Sequence, residues 1–291
     1  MTKQEKRISK VVIAVMLVAM LVGVFSSIGV SAKPAGSHYM NVSIDNRDVL
    51  DGRVFNINGS TYVPMLRFAN TISRFTYSYD SSSKTLYMWG TNLEVIAREG
   101  DLYIIANGRY FYTGSEVMLY DGEMYVPIRP LTKALNSTVE WSSEDNKFYV
   151  YSGDTTALKN SNEVYNPDDI YWLSRIISAE AKGESMKGKI AVGNVILNRV
   201  RSKDFPDTIY DVIFDRKFGV QFTPTANGAI YNTPTNDSVI AAKICYEGYS
   251  LSSSILYFLN PKYATSSWIQ NNKTYVFITT EINPRKCGFI L

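Results

Sequence analysis

The sequence is poor in the side chains that most enzymes use for nucleophilic and metal chemistry. Among 291 residues there is one histidine, His38, in a polar, flexible-looking start, KPAGSHYM. A Ser-His-Asp or Cys-His relay needs an imidazole as base, and His-ligated metal sites need several, so both are nearly excluded. Cysteine is almost as scarce. Cys245 and Cys287 are enough for one pair after export, with an unpaired or buried state equally open, but two make neither a disulfide framework nor a zinc site. Net charge is also lacking. The formal +3 is carried by residues 1–10, where Lys3, Lys6, Arg7 and Lys10 face one acid, Glu5. The remainder is close to neutral, so no polyanion-binding surface is implied and nucleic acid is not an expected partner. An enzyme built from this inventory works through carboxylates.

What is present begins with an export signal, residues 1–32. A basic start leads into the apolar run Val11–Phe25, and Val30-Ser31-Ala32 is a small-residue cleavage site. Left uncleaved, Val11–Val30 would serve as an N-terminal membrane anchor instead. The mature chain of about 259 residues is long enough for two ordinary domains.

Residues 40–153 contain an internal repeat. Ile57-Asn58-Gly59-Ser60-Thr61-Tyr62-Val63-Pro64 is answered about 63 residues later by Tyr120-Asp121-Gly122-Glu123-Met124-Tyr125-Val126-Pro127. Asn58-Gly59 and Asp121-Gly122 are hairpin turns between short strands. Each copy then places an arginine, Arg67 or Arg129, in a short helical stretch and closes on an alternating strand, Lys84–Gly90 or Lys147–Gly153. Further alternating segments, Leu93–Ala97 and Leu102–Ile105, lie between the copies. A mostly β domain with one small helix per copy is expected.

The twin Gly-x-x-Tyr-Val-Pro motifs, the arginines after them and the steps Tyr79-Asp80 and Trp141-Ser142 resemble the copper amine oxidase N-terminal-like domain of exported bacterial proteins. The resemblance implies an accessory or wall-associated module. It does not bring copper, because no His, Cys or Met cluster is there to hold it. The aromatic residues either stack on sugars or pack as ordinary strand residues.

Asp154–Val164 is polar and aperiodic, and residues 154–165 are read as a linker. From Asn166 the pattern is helical. Asn166 suits an N-cap, Pro167 the first helical position, and Asp168 and Asp169 the positive end of the macrodipole; Gly183 marks the stop. Leu173, Ile176 and Ile177 define one apolar face, and Glu180 falls on it, near the negative end of the dipole. Both effects raise a carboxyl pKa, as a general acid requires. The alternative is that Glu180 swings aside to pair with Arg175 or Lys182.

Ser185 caps a second helix, Lys187–Arg201, apolar nearly all round and therefore buried, in which Asn194 and Asn198 need internal partners. Thr208 caps a short helix, Ile209–Phe214. A loop covers Arg216–Thr233, a third main helix runs from Thr235 or Asn236 to Glu247, and strands follow at Ile255–Leu259 and Thr274–Thr279.

The runs Ile177–Glu184, Ile190–Val200, Phe205–Ile209, Val220–Thr223 and Leu256–Pro261, together with Trp268, resemble in residues and order the SleB/CwlJ cell-wall hydrolase family, which includes spore-cortex-lytic enzymes. The resemblance implies a mainly α, lysozyme- or lytic-transglycosylase-like domain with a small β element over 166–291. The whole chain is then a mostly β (α+β) repeat domain followed by that helical domain. It also implies peptidoglycan glycan strands as substrate, cleavage of the MurNAc–GlcNAc β-1,4 bond, Glu180 as catalytic acid and base, and no cofactor. Glu184, the one acid a turn from Glu180, is either a second carboxylate or a helix-end residue. Gln221, Tyr257 and Asn260 match groove positions, with strand packing and turn formation as the ordinary alternatives for Tyr257 and Asn260. The location implied is the cell wall, spore envelope or exterior. The tail Thr279–Leu291 departs from the family's Gly-Asn-His-x-Phe-like closing strand and has no histidine.

Overall fold

The repeat becomes a pair of hairpin–helix–hairpin units in the computed structural model, which describes residues 34–259, 275–276 and 288–290. The readings of residues 1–32 and of Asn260, Trp268 and Cys287 lie outside the described residues. Strands β1 (His38–Tyr39), β2 (Asn41–Ile44) and β3 (Arg47–Val49) come first. The first unit is β4 (Phe55–Ile57), β5 (Ser60–Pro64), helix α1 (Met65–Ile72), β6 (Thr76–Asp80) and β7 (Thr85–Gly90). A meander of β8 (Leu93–Arg98), β9 (Tyr103–Ala106) and β10 (Arg109–Tyr112) follows. The second unit is β11 (Met118–Tyr120), β12 (Glu123–Pro127), α2 (Ile128–Ala134), β13 (Thr138–Ser142) and β14 (Lys147–Tyr151).

Local chemistry sets these elements. Asn58 and Gly59, and likewise Asp121 and Gly122, all take positive φ, as a tight hairpin requires. Pro64 and Pro127 end their strands, and a helix starts on the next residue in each case, since proline offers no ladder N–H. The copies meet strand to strand: Tyr62 faces Pro127, Val63 faces Val126 and Pro64 faces Tyr125. This local pseudo-twofold centres the sheet β1-β4-β5-β12-β11. A second sheet, β10-β9-β8-β7-β6, is fully antiparallel; a third, β13-β14-β2-β3, is closed by parallel pairing of β14 with β2. Met65, Phe68, Met88, Val95, Val126 and Leu131 fill the core between them. The repeat arginines are structural: Arg67 pairs with Glu123 of the other copy, and Arg129 lies 5.9 Å from the Phe148 ring centre.

The stretch 154–165 carries two capped turns. Asp154 caps a 3-10 turn over Thr155–Ala157, and Asn160 with Glu163 forms a capping box on α3 (Ser161–Val164). The stretch is also tied back to the β9–β10 turn, where the Asn107 amide donates to Leu158 O at 2.9 Å.

The C-terminal domain is helical: α4 (Pro167–Ala181), α5 (Met186–Arg201), α6 (Ile209–Phe214), α7 (Pro224–Asn227), a 3-10 turn over Ala229–Tyr231, and α8 (Asn236–Tyr246). Asn166, Ser185, Thr208 and Thr235 each accept a backbone N–H of the helix they open. Helices α4, α5 and α8 enclose Ile176, Ile177, Ile190, Val195, Ala241 and Ile244. The close approach depends on Gly193, where a Cβ would lie 2.7 Å from Cys245 Sγ and 3.0 Å from Ile177 Cδ1. Cys245 is a free, buried thiol that donates to Ile190 O. A small sheet, β15 (Tyr257–Leu259), β17 (Gly288–Ile290) and β16 (Tyr275–Val276), has β17 in the middle, so the tail adds a closing strand despite its departure from the family pattern.

The two domains share a polar junction at the C-terminal end of α8. Arg109 on β10 donates to both carboxylate oxygens of Glu247, at 2.8 and 2.6 Å, and Lys133 on α2 donates to Glu247 O at 2.6 Å. Tyr112 meets Tyr249 edge to face at 4.6 Å. Helix α8 runs antiparallel to α4: Tyr246 OH donates to Asp169 at one end, and Thr235 N donates to Ser178 Oγ at the other. The junction therefore occupies the end of the bundle away from Glu180.

Candidate active site

Helix α4 fixes Glu180 through its buried neighbours. Leu173, Ile176, Ile177 and Ala181 anchor the helix in the core, and Glu180 lies half-buried at the edge of that face. Burial alone pushes its carboxyl above the ordinary glutamate range, because the low-dielectric surroundings penalise the charged form. Among the described residues Glu180 makes no hydrogen bond and no ion pair. The alternative partners are placed elsewhere. Arg175 lies 3.7 Å from the Tyr171 ring centre and Lys182 is exposed. A carboxyl raised in this way holds its proton to higher pH than a solvated glutamate does and can release it to a substrate oxygen.

Glu184 takes the helix-end position that was one of its two sequence readings. Helix α4 ends at Ala181, and the chain turns through Lys182 and Gly183, with Glu184 N donating to Ala181 O at 3.0 Å. Gly183 does not adopt the left-handed backbone of a glycine cap. Glu184 therefore leaves the helix and is not held one turn beyond Glu180 by helical geometry. Its carbonyl instead receives the buried Lys189 ammonium, and its Cβ lies against Gly188.

Phe222, next to Gln221, and Tyr257 come together around a residue that lies in the sequence motif but was given no role. Arg199, on α5, is 5 % exposed. Its guanidinium carbon sits 4.8 Å from the Phe205 ring centre and 5.2 Å from those of Phe222 and Tyr257. Nε donates to Leu256 O at 2.8 Å, and Nη1 has no partner among the described residues. Burial pulls its pKa below the usual arginine range. Phe222 stacks on Phe258 at 6.2 Å, so one cation organises the loop carrying Gln221 and the strand carrying Tyr257. Gln221 itself is half-buried and bonds weakly to Gly219 O at 3.5 Å. The loop leads into α7, which packs on α4. No described hydrogen bond joins Glu180 to Gln221 or Tyr257. Nothing in the sequence set Arg199 apart from Arg201, two residues on in the same helix.

The asparagines of α5 find the internal partners their burial requires. The Asn194 amide donates to Tyr249 O at 2.8 Å and accepts from Leu251 N at 2.8 Å; Asn198 donates to Ser252 O and Ile255 O, each at 2.9 Å. They hold the loop that brings the chain from α8 to β15.

Residues 183–282 match the family described as Cell Wall Hydrolase. The C-terminal domain belongs to this cell wall hydrolase family. The matched range begins three residues after Glu180, so the proposed acid lies just outside it. Residues 43–150 match the Copper amine oxidase N-terminal domain. Among the described residues no group of three or more His, Cys, Asp or Glu side chains is placed to hold a metal ion. Curated relatives include a spore cortex-lytic enzyme of Bacillus cereus, 39% identical over 105 residues that cover 36% of this chain and 39% of the relative. One from Oceanobacillus iheyensis is 38% identical over 114 residues, covering 39% of this chain and 40% of the relative. The match thus spans about two fifths of the length of these relatives. The catalytic domain of the germination-specific lytic transglycosylase SleB from Bacillus anthracis is 33% identical, with 46% of this chain and 100% of that one covered, at a TM-score of 0.38.

Proposed function

We propose that this protein is a peptidoglycan-lytic enzyme that cleaves the MurNAc–GlcNAc β-1,4 glycosidic bond, with Glu180 as the catalytic residue. The observation that carries the reading is the half-buried, unpaired carboxyl of Glu180 at the end of α4. The similarity of residues 183–282 to cell wall hydrolases, and of the chain to spore cortex-lytic enzymes, supports the substrate class.

In this mechanism protonated Glu180 gives its proton to the glycosidic oxygen as the bond breaks through an oxocarbenium-like transition state. The resulting carboxylate then takes the proton of the muramic C6 hydroxyl, which closes a 1,6-anhydro ring. This single-carboxylate route needs no second acid, whereas hydrolysis by a carboxylate pair would call on Glu184. Gln221 and Tyr257, organised around Arg199, would contact the glycan, with Tyr257 offering a ring face and a hydroxyl. Asn260 has the same proposed role. Such an enzyme acts outside the membrane, on spore cortex or wall, and the export-signal reading of residues 1–32 agrees with that. No helix among the described residues is long and apolar enough to cross a membrane.

The test is to incubate mature protein with purified cortex and vegetative peptidoglycan and to analyse the soluble products by mass spectrometry, with Glu180→Gln alongside. Anhydro-muramic ends that vanish in the variant are expected. Reducing muramic ends would return attention to Glu184. No release from either wall, with the protein still pelleting, would leave a non-catalytic wall-binding protein.

A further inference from the structure

The sheets of the first domain end in strands of unequal length. Strands β1, β3 and β11 have only two or three residues, and β10 packs on α8. That leaves β6 and β13, the matching strands of the two repeat units, at five residues each. All five residues of β6, Thr76-Tyr77-Ser78-Tyr79-Asp80, are exposed. Tyr77 and Tyr79 lie opposite Met88 and Leu86 of β7, and so on the core face of the sheet, where Met88 and Leu86 are buried. Yet Tyr77 is 60% and Tyr79 39% exposed, because no further strand carries the core past them. The usual guards of a sheet edge are missing from β6. It has no proline and no lysine, and its pairing with β7 runs without a bulge from Thr76 to Asp80.

We propose that β6 pairs antiparallel with β6 of a second copy of this chain, across a twofold axis at Ser78, joining two five-stranded sheets into one. The strand reads nearly the same in both directions, and a symmetric dimer requires that self-complementarity. With Ser78 opposite its own copy, Tyr77 faces the partner's Tyr79 and Tyr79 faces the partner's Tyr77. Both aromatic pairs then form on the core face and are covered there. Charge agrees with the same register. Arg74, two residues before β6, is exposed and has no ion pair among the described residues. Thr76 faces the partner's Asp80, which places that carboxylate diagonally across from Arg74, within reach of a long side chain. Strand β13 has the opposite character. Its central residue is Glu140, so the same pairing would set two carboxylates against each other at the axis, where β6 has an uncharged serine. Two five-residue strands bury less than the roughly 1,600 Å² of a standard interface, so the dimer is a weak one that forms in the micromolar range.

The test is sedimentation velocity of the mature protein over a concentration series through the micromolar range. A concentration-dependent monomer–dimer equilibrium is expected. Ser78→Glu and Ser78→Lys, both at an exposed position that tolerates either side chain, should each weaken the dimer about tenfold or more, because like charges then meet at the axis. An equimolar mixture of the two variants should recover association as a heterodimer, which a fault in folding would not do. Circular dichroism checks that each variant keeps its fold. Glu140→Lys, at the matching exposed position of β13, is the control and should change nothing. A protein that is monomeric at every concentration overturns the proposal and leaves the edge to a strand of some other protein. A dimer that Ser78→Glu leaves intact, one that the mixture fails to restore, or one that Glu140→Lys weakens equally overturns it as well.

Discussion

Arg109 and Glu247, 138 residues apart in sequence, form a two-pronged ion pair at the junction of the domains. The Glu247 side chain is 3% exposed and that of Arg109 16%, so the pair is largely withdrawn from water. Its surroundings are built to match. Tyr165 OH accepts Tyr110 N, with Glu247 nearby, and the Lys243 ammonium sits 4.9 Å from the Tyr110 ring centre. Burial lowers the pKa of Lys243 and raises that of Tyr165. The first domain is therefore docked on the foot of the helical bundle by charge as well as by packing, and the Glu180 end is left open.

Truncating one partner strands the other. Glu247→Ala leaves the Arg109 guanidinium partly buried without its counter-ion, at a cost of about 3 kcal/mol or more. In a chain of this size that lowers the thermal midpoint by roughly 6–12 °C. The double variant with Arg109→Ala should be less destabilised than the two single effects added together. Differential scanning calorimetry of the four proteins measures both, and strict additivity would mean the pair contributes no coupling.

Much of this architecture was legible because it is written in local chemistry. Asn166, Ser185, Thr208 and Thr235 cap the helices their positions announce, and the Asn-Gly and Asp-Gly steps turn the repeat hairpins. The burial of Glu180 followed from three- and four-residue spacing. What was not legible depends on distance in sequence or on where a helix stops. Nothing near Glu247 announces Arg109, and nothing in Arg199 announces that three rings from separate segments will enclose it. The stop at Gly183 was legible, since it follows the C-cap Lys182, but its backbone is not left-handed, which the sequence does not announce.

Gly193 is where α4, α5 and α8 come closest. Gly193→Ala drives a methyl to 2.7 Å from Cys245 Sγ, with Ile177 Cδ1 at 3.0 Å on the other side. Overpacking of this kind costs about 1–3 kcal/mol, more than alanine's better helix propensity returns. Cys245→Ala in the same chain removes the clashing sulfur and should restore part of the loss. Urea titration followed by circular dichroism reads both changes, and a Gly193→Ala protein as stable as the parent would show that the helices can separate freely.

Asn194 satisfies two backbone groups of the loop after α8. In Asn194→Leu the Tyr249 carbonyl and the Leu251 amide both lose their partner inside the protein. At about 1–3 kcal/mol for each stranded group, the loss should exceed that of an exposed asparagine such as Asn232. Amide exchange should report it locally, as faster exchange at Leu251 before any global unfolding.

Glu180 should leave a signature in stability as well as in activity. Its folded pKa is raised by burial above the unfolded value near 4.3. Between those two values the unfolded chain has released the proton that the native protein keeps, so the unfolded state binds fewer protons and stability falls as pH rises. Below the unfolded value both states are protonated and nothing is lost; above the folded value both are ionised and the loss is constant. Glu180→Gln removes the charge and hence the loss. The variant should match the wild type in acid, gain on it as pH rises through the window, and hold a steady advantage beyond it. At the same time its catalysis should fall by at least about a hundredfold, since general acid–base transfer contributes on that order. Thermal melts of both proteins across the acid-to-neutral range decide the matter. Parallel curves at every pH would mean that Glu180 ionises as freely in the folded protein as in water, and the acid role proposed for it would lose its physical basis.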